Sequence, residues 1–153
     1  MRYIHRVYTA CGEWEIEATD CAVVRVSNRL TEEQACPNDV CLQAQKELEE
    51  YFAGTRYGFS VPLELRGTVF QQQVWEALLQ IPYGQSTHYA QIAEQIGRPA
   101  AVRAVANAIG RNPCLILVPC HRVLGKNGTL TGFSAGLDVK RTLLQREGIF
   151  WEN

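Results

Sequence analysis

The sequence predicts an α+β fold in two parts: a small antiparallel sheet domain, residues 1–62, and a mostly helical domain, residues 63–153. Three observations carry that expectation. Apolar and polar residues alternate along the first 30 positions; apolar residues recur at helical spacing between recognisable caps from residue 38 onward; and an extended stretch containing Pro62, from Tyr57 to Arg66, separates the two patterns. At 153 residues and 46% hydrophobic content the chain can build a core without metal or disulfide staples.

In the first part Trp14, Ile16 and Ala18 interleave with Glu13, Glu15 and Glu17, and Ala22-Val23-Val24-Arg25-Val26 follows a Thr19-Asp20-Cys21 turn. This predicts an antiparallel hairpin or meander with one core face and one acidic face, and Arg2 to Tyr8 adds a strand. Leu30 to Asn38 reads as a polar loop. Asn38 or Asp39 then caps a helix with Cys41, Ala44, Leu48 and Phe52 inward, stopped by Gly54.

In the second part Thr68-Val69-Phe70-Gln71 fits a capping box, and the helix it opens places Phe70, Val74, Trp75, Leu78 and Leu79 on one face before Pro82 ends it. After a Pro82-Tyr83-Gly84 turn, a helix is expected from Tyr89 to Ile96, stopped by Gly97. Pro99 opens the next, Ala100 to Ile109, stopped by Gly110. Two short helices with a tight turn make a helix-turn-helix candidate. In the second of them Val102, Val105 and Ile109 face inward and leave Ala100, Ala104 and Ala108 in a row beside Arg103 and Asn107. So small a face can approach a nucleic-acid groove closely, with Arg103 entering the base stack; the same composition also suits a plain solvated helix.

The apolar run Leu115 to Val118 reads as a short buried strand carrying Cys120 toward a pocket. Beyond a Gly125-Lys126-Asn127-Gly128 turn, Thr131-Gly132-Phe133-Ser134-Ala135-Gly136 suits a pocket wall that closes over a flat ligand. A final helix is expected from Leu137 to Glu147, stopped by Gly148.

Charge and cysteines narrow the function. Residues 1–97 hold seven Lys/Arg and thirteen Asp/Glu, and residues 98–153 hold eight and three, so the C-terminal part suits an anionic partner bound in a salt-sensitive way. The N-terminus lacks an apolar leader, and no stretch approaches the ~20 apolar residues of a membrane span, so a cytosolic or nuclear protein without membrane attachment is expected. Six cysteines are then expected as reduced thiols. Cys11, Cys21, Cys36 and Cys41 lack paired C-x-x-C spacing, and no metal is expected.

The chemistry centres on Pro119-Cys120-His121-Arg122-Val123. A thiol is a good nucleophile only as thiolate, which a neighbouring base or positive field provides, and His121 and Arg122 offer both. An isolated Cys-His pair is also an ordinary core feature. Glu147 falls at a helix C-terminus, where the macrodipole disfavours a carboxylate, so a partner is expected for it, and His121 fits.

Together, Gly67-Thr68-x-Phe70-Gln71-x-x-Val74-Trp75, Ile81-Pro82-x-Gly84, Tyr89, Gly97-x-Pro99-x-Ala101-x-Arg103-Ala104-Val105, Asn112-Pro113, Pro119 to Val123 and Glu147-Gly148 resemble the O6-alkylguanine-DNA alkyltransferase family, in its order and spacing. The resemblance implies a ribonuclease-H-like N-terminal domain, a winged helix-turn-helix-like C-terminal domain, and stoichiometric transfer of an alkyl group from O6-alkylguanine to Cys120, with O4-alkylthymine left open as a substrate. It implies that His121 activates Cys120 through a water and is oriented by Glu147, and that Asn112 supports the turn before the active-site segment. Tyr89 would push the target phosphate and protonate the departing base, Arg103 would fill the gap left by the flipped nucleotide, and Val123 (by its carbonyl), Phe133 and Ser134 would contact the base. Arg122 is expected to contribute to DNA binding. The implied partner is double-stranded DNA containing O6-alkylguanine, with no cofactor, no obligate protein partner and a monomeric state.

Two positions depart from the family pattern: Phe133 stands for the usual tyrosine, and Ala135-Gly136 for a glycine pair, which narrows the pocket toward bulky alkyl groups. Positions near Thr19 and Val24 lack the zinc ligands of some members. Three other classes compete: a lesion binder without chemistry, against which Cys120 itself argues; a transcriptional helix-turn-helix module, disfavoured by Tyr89, His121 and Glu147 together; and a Cys-His hydrolase, distinguished by multiple turnover.

Overall fold

The computed structural model describes residues 1–152. The chain forms two compact units, Met1–Arg66 with Pro113–Leu117, and Gly67–Asn112 with Val118–Asn153. The expected boundary at residue 62 falls inside the first unit, because Val23 N–H donates to Pro62 O and Glu64 N–H to Val23 O, at 2.8 and 2.9 Å.

In the first unit β1 (Tyr3–Thr9), β2 (Gly12–Ala18) and β3 (Val23–Ser27) form an antiparallel sheet in that order. Val7 faces Trp14 and Ile16 faces Val26 across the strands, so the alternation read from the sequence becomes one inner face, with Trp14, Ile16 and Ala18 fully buried. Helix α1 (Asp39–Phe52) packs on the sheet. Asn38 caps it by accepting from Cys41 N–H, and Tyr51, more than Phe52, is the aromatic that it buries.

The second face of the sheet differs from the acidic surface expected. Glu15 is fully buried, ion-paired with Arg6 at 3.1 Å and with Arg25, and it accepts the Thr31 N–H at 3.0 Å. The loop read as merely polar covers that face, tied down by Arg6 to Thr31 O and by pairing of Cys36 with Ile4.

Pro113–Leu117 returns to the first unit: Val26 N–H donates to Pro113 O and Leu115 N–H to Val26 O. The strand expected over 115–118 does not form. Its residues are buried, but Ile116 adopts φ 74° and the chain turns at 116–117. A short apolar run signals burial without choosing between strand and turn. A β-branched residue in the left-handed region costs of order 1–3 kcal/mol, so the surroundings must impose it.

In the second unit α2 (Val69–Leu79), α3 (Tyr89–Gln95) and α4 (Val102–Gly110) pack on one another. The Thr68/Gln71 capping box is present, and the Trp75 indole N–H donates to Ala108 O at 2.8 Å. Ala77 rather than Leu79 completes the inner face of α2, Leu79 being 41% exposed. Helix α4 begins at Val102 rather than Ala100, after a turn closed by Ala101 N–H to Arg98 O. Ala108 is buried in the helix packing, which leaves Arg103, Ala104 and Asn107 outward.

Short strands β4 (Thr87–His88) and β5 (Val123–Leu124) pair in parallel, and α5 (Leu137–Glu147) ends at Gly148, φ 72°. Leu124, Leu144 and Ile149 form a small core under α5. Among the described residues no helix is long and apolar enough to cross a membrane, and no cluster of metal-ligating side chains occurs.

Candidate active site

The site is assembled at a single turn of 3-10 helix, Cys120–Arg122, just beyond the segment read as a strand. The turn directs its three side chains differently. Cys120, 3% exposed, lines a cavity of about 170 Å³ together with Tyr89 from α3, Ala106 and Ile109 from α4, and Phe133 and Ser134 from the loop before α5. That volume lies below the roughly 300–1,000 Å³ of drug-sized pockets and suits one compact flat group.

Behind the thiol, Asn112 donates from its amide to Val118 O at 2.9 Å and to Cys120 Sγ at 3.1 Å. One side chain thus closes the turn and holds the sulfur. Burial pushes the Cys120 thiol up to about 11, against the opposing pull of the Asn112 amide and the Lys140 charge. At pH 7 only about 10⁻⁴ of the molecules then carry a resting thiolate, and a base must take the proton during reaction.

His121 is fully buried, with Nε2 2.6 Å from Glu147 Oε2. A carboxylate only accepts, so Nε2 carries the proton and Nδ1 keeps the basic lone pair. That Nδ1 is buried with no hydrogen-bond partner. Burial holds the imidazole below its ordinary value, while Glu147 works in the opposite direction. The expected His121–Glu147 pairing is therefore present, and the structure adds a third member.

Arg122, expected to reach DNA, is buried and turned inward. Its Nε donates to Glu147 Oε1 at 2.7 Å, Nη2 to Glu147 Oε2 at 3.1 Å and Nη1 to Ile81 O at 2.6 Å, with Tyr83 packed over the guanidinium. The Gly84 N–H adds a fourth donor to the carboxylate at 3.0 Å. A planar guanidinium matches a carboxylate bidentately, which explains why this cation points to Glu147 instead of solvent.

Lys140 was not singled out by sequence reasoning. It is 1% exposed, donates to Val123 O at 2.8 Å, and sits over the Phe133 ring at 5.9 Å. Burial lowers its ammonium to about 8. The signal existed: Lys140, Leu143, Leu144 and Glu147 share helical spacing and form one inner stripe of α5. The Val123 carbonyl, expected to meet a ligand, already accepts this lysine. Tyr89 and Thr131 join their hydroxyls at 2.7 Å. Arg103 stands outward on α4, away from the cavity lining.

Comparison with known proteins places these features in context. The family described as "6-O-methylguanine DNA methyltransferase, DNA binding domain" matches residues 69–149, more than half of the chain. An inducible methylated-DNA–protein-cysteine methyltransferase of Bacillus subtilis is 56% identical over 101 residues, 66% of this chain and 56% of that protein. This chain spans between 56% and 63% of the length of the first curated relatives it matches. The crystal structure of Mycobacterium tuberculosis O6-methylguanine methyltransferase superposes with a TM-score of 0.88 at 40% identity, covering 96% of this chain and 93% of the other. A structure of the M. tuberculosis protein in complex with DNA gives 0.86 at 41% identity, over 95% and 92% of the two chains.

Proposed function

This chain belongs to the 6-O-methylguanine-DNA methyltransferase family, and from that footing we propose that it repairs DNA by moving an alkyl group from O6-alkylguanine to Cys120, once per molecule. The single observation that carries the reading is a cavity-lining thiol beside a buried imidazole whose one free nitrogen is basic and whose other is held by a carboxylate.

In the step, His121 Nδ1 takes the Cys120 proton through a bridging water, and Glu147 stabilises the imidazolium that forms. Sγ attacks the alkyl carbon, the carbon–O6 bond breaks, and guanine leaves with a proton from Tyr89. The nearby Lys140 charge favours the transient thiolate. The product is a thioether, which water does not cleave, so the protein is consumed.

The base reaches the cavity by flipping out of a duplex. Helices α3 and α4 act as the helix-turn-helix of a winged domain, Arg103 fills the gap in the stack, and Phe133 and Ser134 hold the base. Asn112 keeps the sulfur in place. The first unit serves as a ribonuclease-H-like domain. The protein works in the cytoplasm as a monomer, without cofactor.

The test is intact mass after incubation with excess duplex containing O6-methylguanine. One methyl per protein, mapped to Cys120, is expected. Continued demethylation beyond one equivalent would make it a hydrolase, and binding without any mass change would make it a lesion binder.

A further inference from the structure

We infer that His88 is a positioning residue for the transfer: its ring ties the start of α3 to Gly125 and so sets the gap between Tyr89 and the loop wall, Gly132 to Ser134, in which the base is held. This rests on the alkyl-transfer reading above. His88 Nδ1 lies 3.0 Å from Gly125 O. A carbonyl only accepts, so Nδ1 carries the proton and donates it. The ring is half-buried and stands outside the cavity lining, so it acts through the loop and not on the base.

Without this bond the loop would be joined to α3 by very little. Gly125, Gly128, Gly132 and Gly136 stand between Leu124 and Leu137, and each adds backbone freedom. The strands that bring loop and helix together pair over two residues only, Thr87 with Val123 and His88 with Leu124. So short a ladder is weak by itself, and it stops where the loop begins. The His88 ring continues the connection one residue further.

Gly125 is an effective place to grip. Its N–H donates to Thr129 O at 2.8 Å and its carbonyl accepts the Gly128 N–H at 3.1 Å, so holding Gly125 holds the whole turn. A Cβ on Gly125 would stand 2.5 Å from Thr129 Oγ1 and 2.6 Å from Thr131 Cγ2, so its backbone packs directly on both threonines. Thr131 leads into the cavity wall, and its hydroxyl meets that of Tyr89 at 2.7 Å. On the helix side, Gln91 Oε1 accepts the His88 N–H at 3.0 Å and the Thr87 hydroxyl at 2.7 Å, which fixes the residue that carries the ring.

The two side-chain ties between α3 and the loop, Tyr89 to Thr131 and His88 to Gly125, meet the reaction differently. Tyr89 gives its proton to the departing base, so its bond to Thr131 rearranges during transfer. The His88 bond carries no transferred proton and persists, keeping the wall in place while the tyrosine turns. A misplacement of about 1 Å between base and sulfur costs roughly 10²-fold in rate, so this tie reaches the chemistry through geometry alone.

The experiment compares duplex O6-methylguanine, whose base must be held against the wall, with iodoacetamide, which needs only the thiolate. Alkylation of Cys120 is read by peptide mass against time, below the melting temperature of every variant. In His88→Ala, methyl transfer at saturating duplex should slow by about tenfold or more, while iodoacetamide alkylation stays at the wild-type rate. His88→Asn, whose amide N–H stands near the place of Nδ1–H, should recover most of the transfer; His88→Gln, whose amide reaches the place of Nε2, should not. Wild-type methyl transfer in His88→Ala, equal slowing with both reagents, or equal rates in the Asn and Gln variants overturns the positioning role. A wild-type protein that reacts with iodoacetamide but takes no methyl from the duplex overturns the alkyl-transfer reading itself, and the role of His88 with it.

Discussion

Replacing Glu147 by glutamine removes one charge from a site where four donors converge on two oxygens. Oε1 accepts from Arg122 Nε and Gly84 N, and Oε2 accepts from His121 Nε2 and Arg122 Nη2. The four lone-pair positions of the carboxylate are filled. In either orientation of the glutamine amide, its NH₂ meets two donors, and the Arg122 charge stays buried without its counter-ion. Stranding one member of a buried pair costs about 3–5 kcal/mol, which at roughly 2–4 °C per kcal/mol lowers the melting temperature by about 10 °C. Burial already holds His121 low, and Glu147 is the group that raises it, so the variant is also a weaker base. Methyl transfer should slow by ~10²-fold. The assay is single-turnover transfer well below the melting temperature, paired with urea unfolding. Adding Arg122→Met to Glu147→Gln removes the stranded charge and should recover stability without recovering rate. If rate returned along with stability, Glu147 would act only through the fold. A single variant with wild-type stability and wild-type limiting rate would refute the triad outright.

Cys120→Ser should abolish transfer while DNA binding stays within about twofold, because the hydroxyl is a far weaker nucleophile of similar size; mass and a binding titration check both halves. Arg103→Ala should weaken duplex binding and slow duplex transfer by about tenfold with the free-base reaction unchanged, and equal slowing of both would remove the arginine from base flipping. In Glu15, burial pushes the carboxyl up, but the Thr31 hydrogen bonds and the charges of Arg25 and Arg6 outweigh it and hold the carboxyl below its ordinary 4.5. That stability is present above about 4.5 and is lost as pH falls through the lower folded value. Glu15→Gln should therefore lower the urea midpoint at pH 7 and flatten its decline in acid; an unchanged acid slope would place the acid sensitivity elsewhere.

Several elements were legible from the sequence because their causes lie within a few residues. The Thr68/Gln71 capping box, the glycine stop at Gly148 and the alternation from Trp14 to Ala18 each depend on neighbours three positions away or fewer. Glu147 announced a partner for the same local reason, a carboxylate at the negative end of a helix. Other features depended on atoms far along the chain. Composition says that Arg122 is a cation, but only the return of α5 brings Glu147, 25 positions on, within reach and turns the guanidinium inward. Lys140 lies on the inner stripe of α5, where a lysine commonly runs its stem along apolar surface and keeps its head in water. Its burial becomes tolerable only once Val123 O and Thr131 supply acceptors. Ile116 turns where its sequence favours extension, because the chain must leave the pairing with Val26 and place Cys120 under Asn112. The sequence alone determined the caps, the periodicities and the residue types of the site. The direction in which each charged group points, and the proton each can hold, was decided by which distant acceptor the fold delivered to it, since desolvating a charge is bearable only where a partner is already in place.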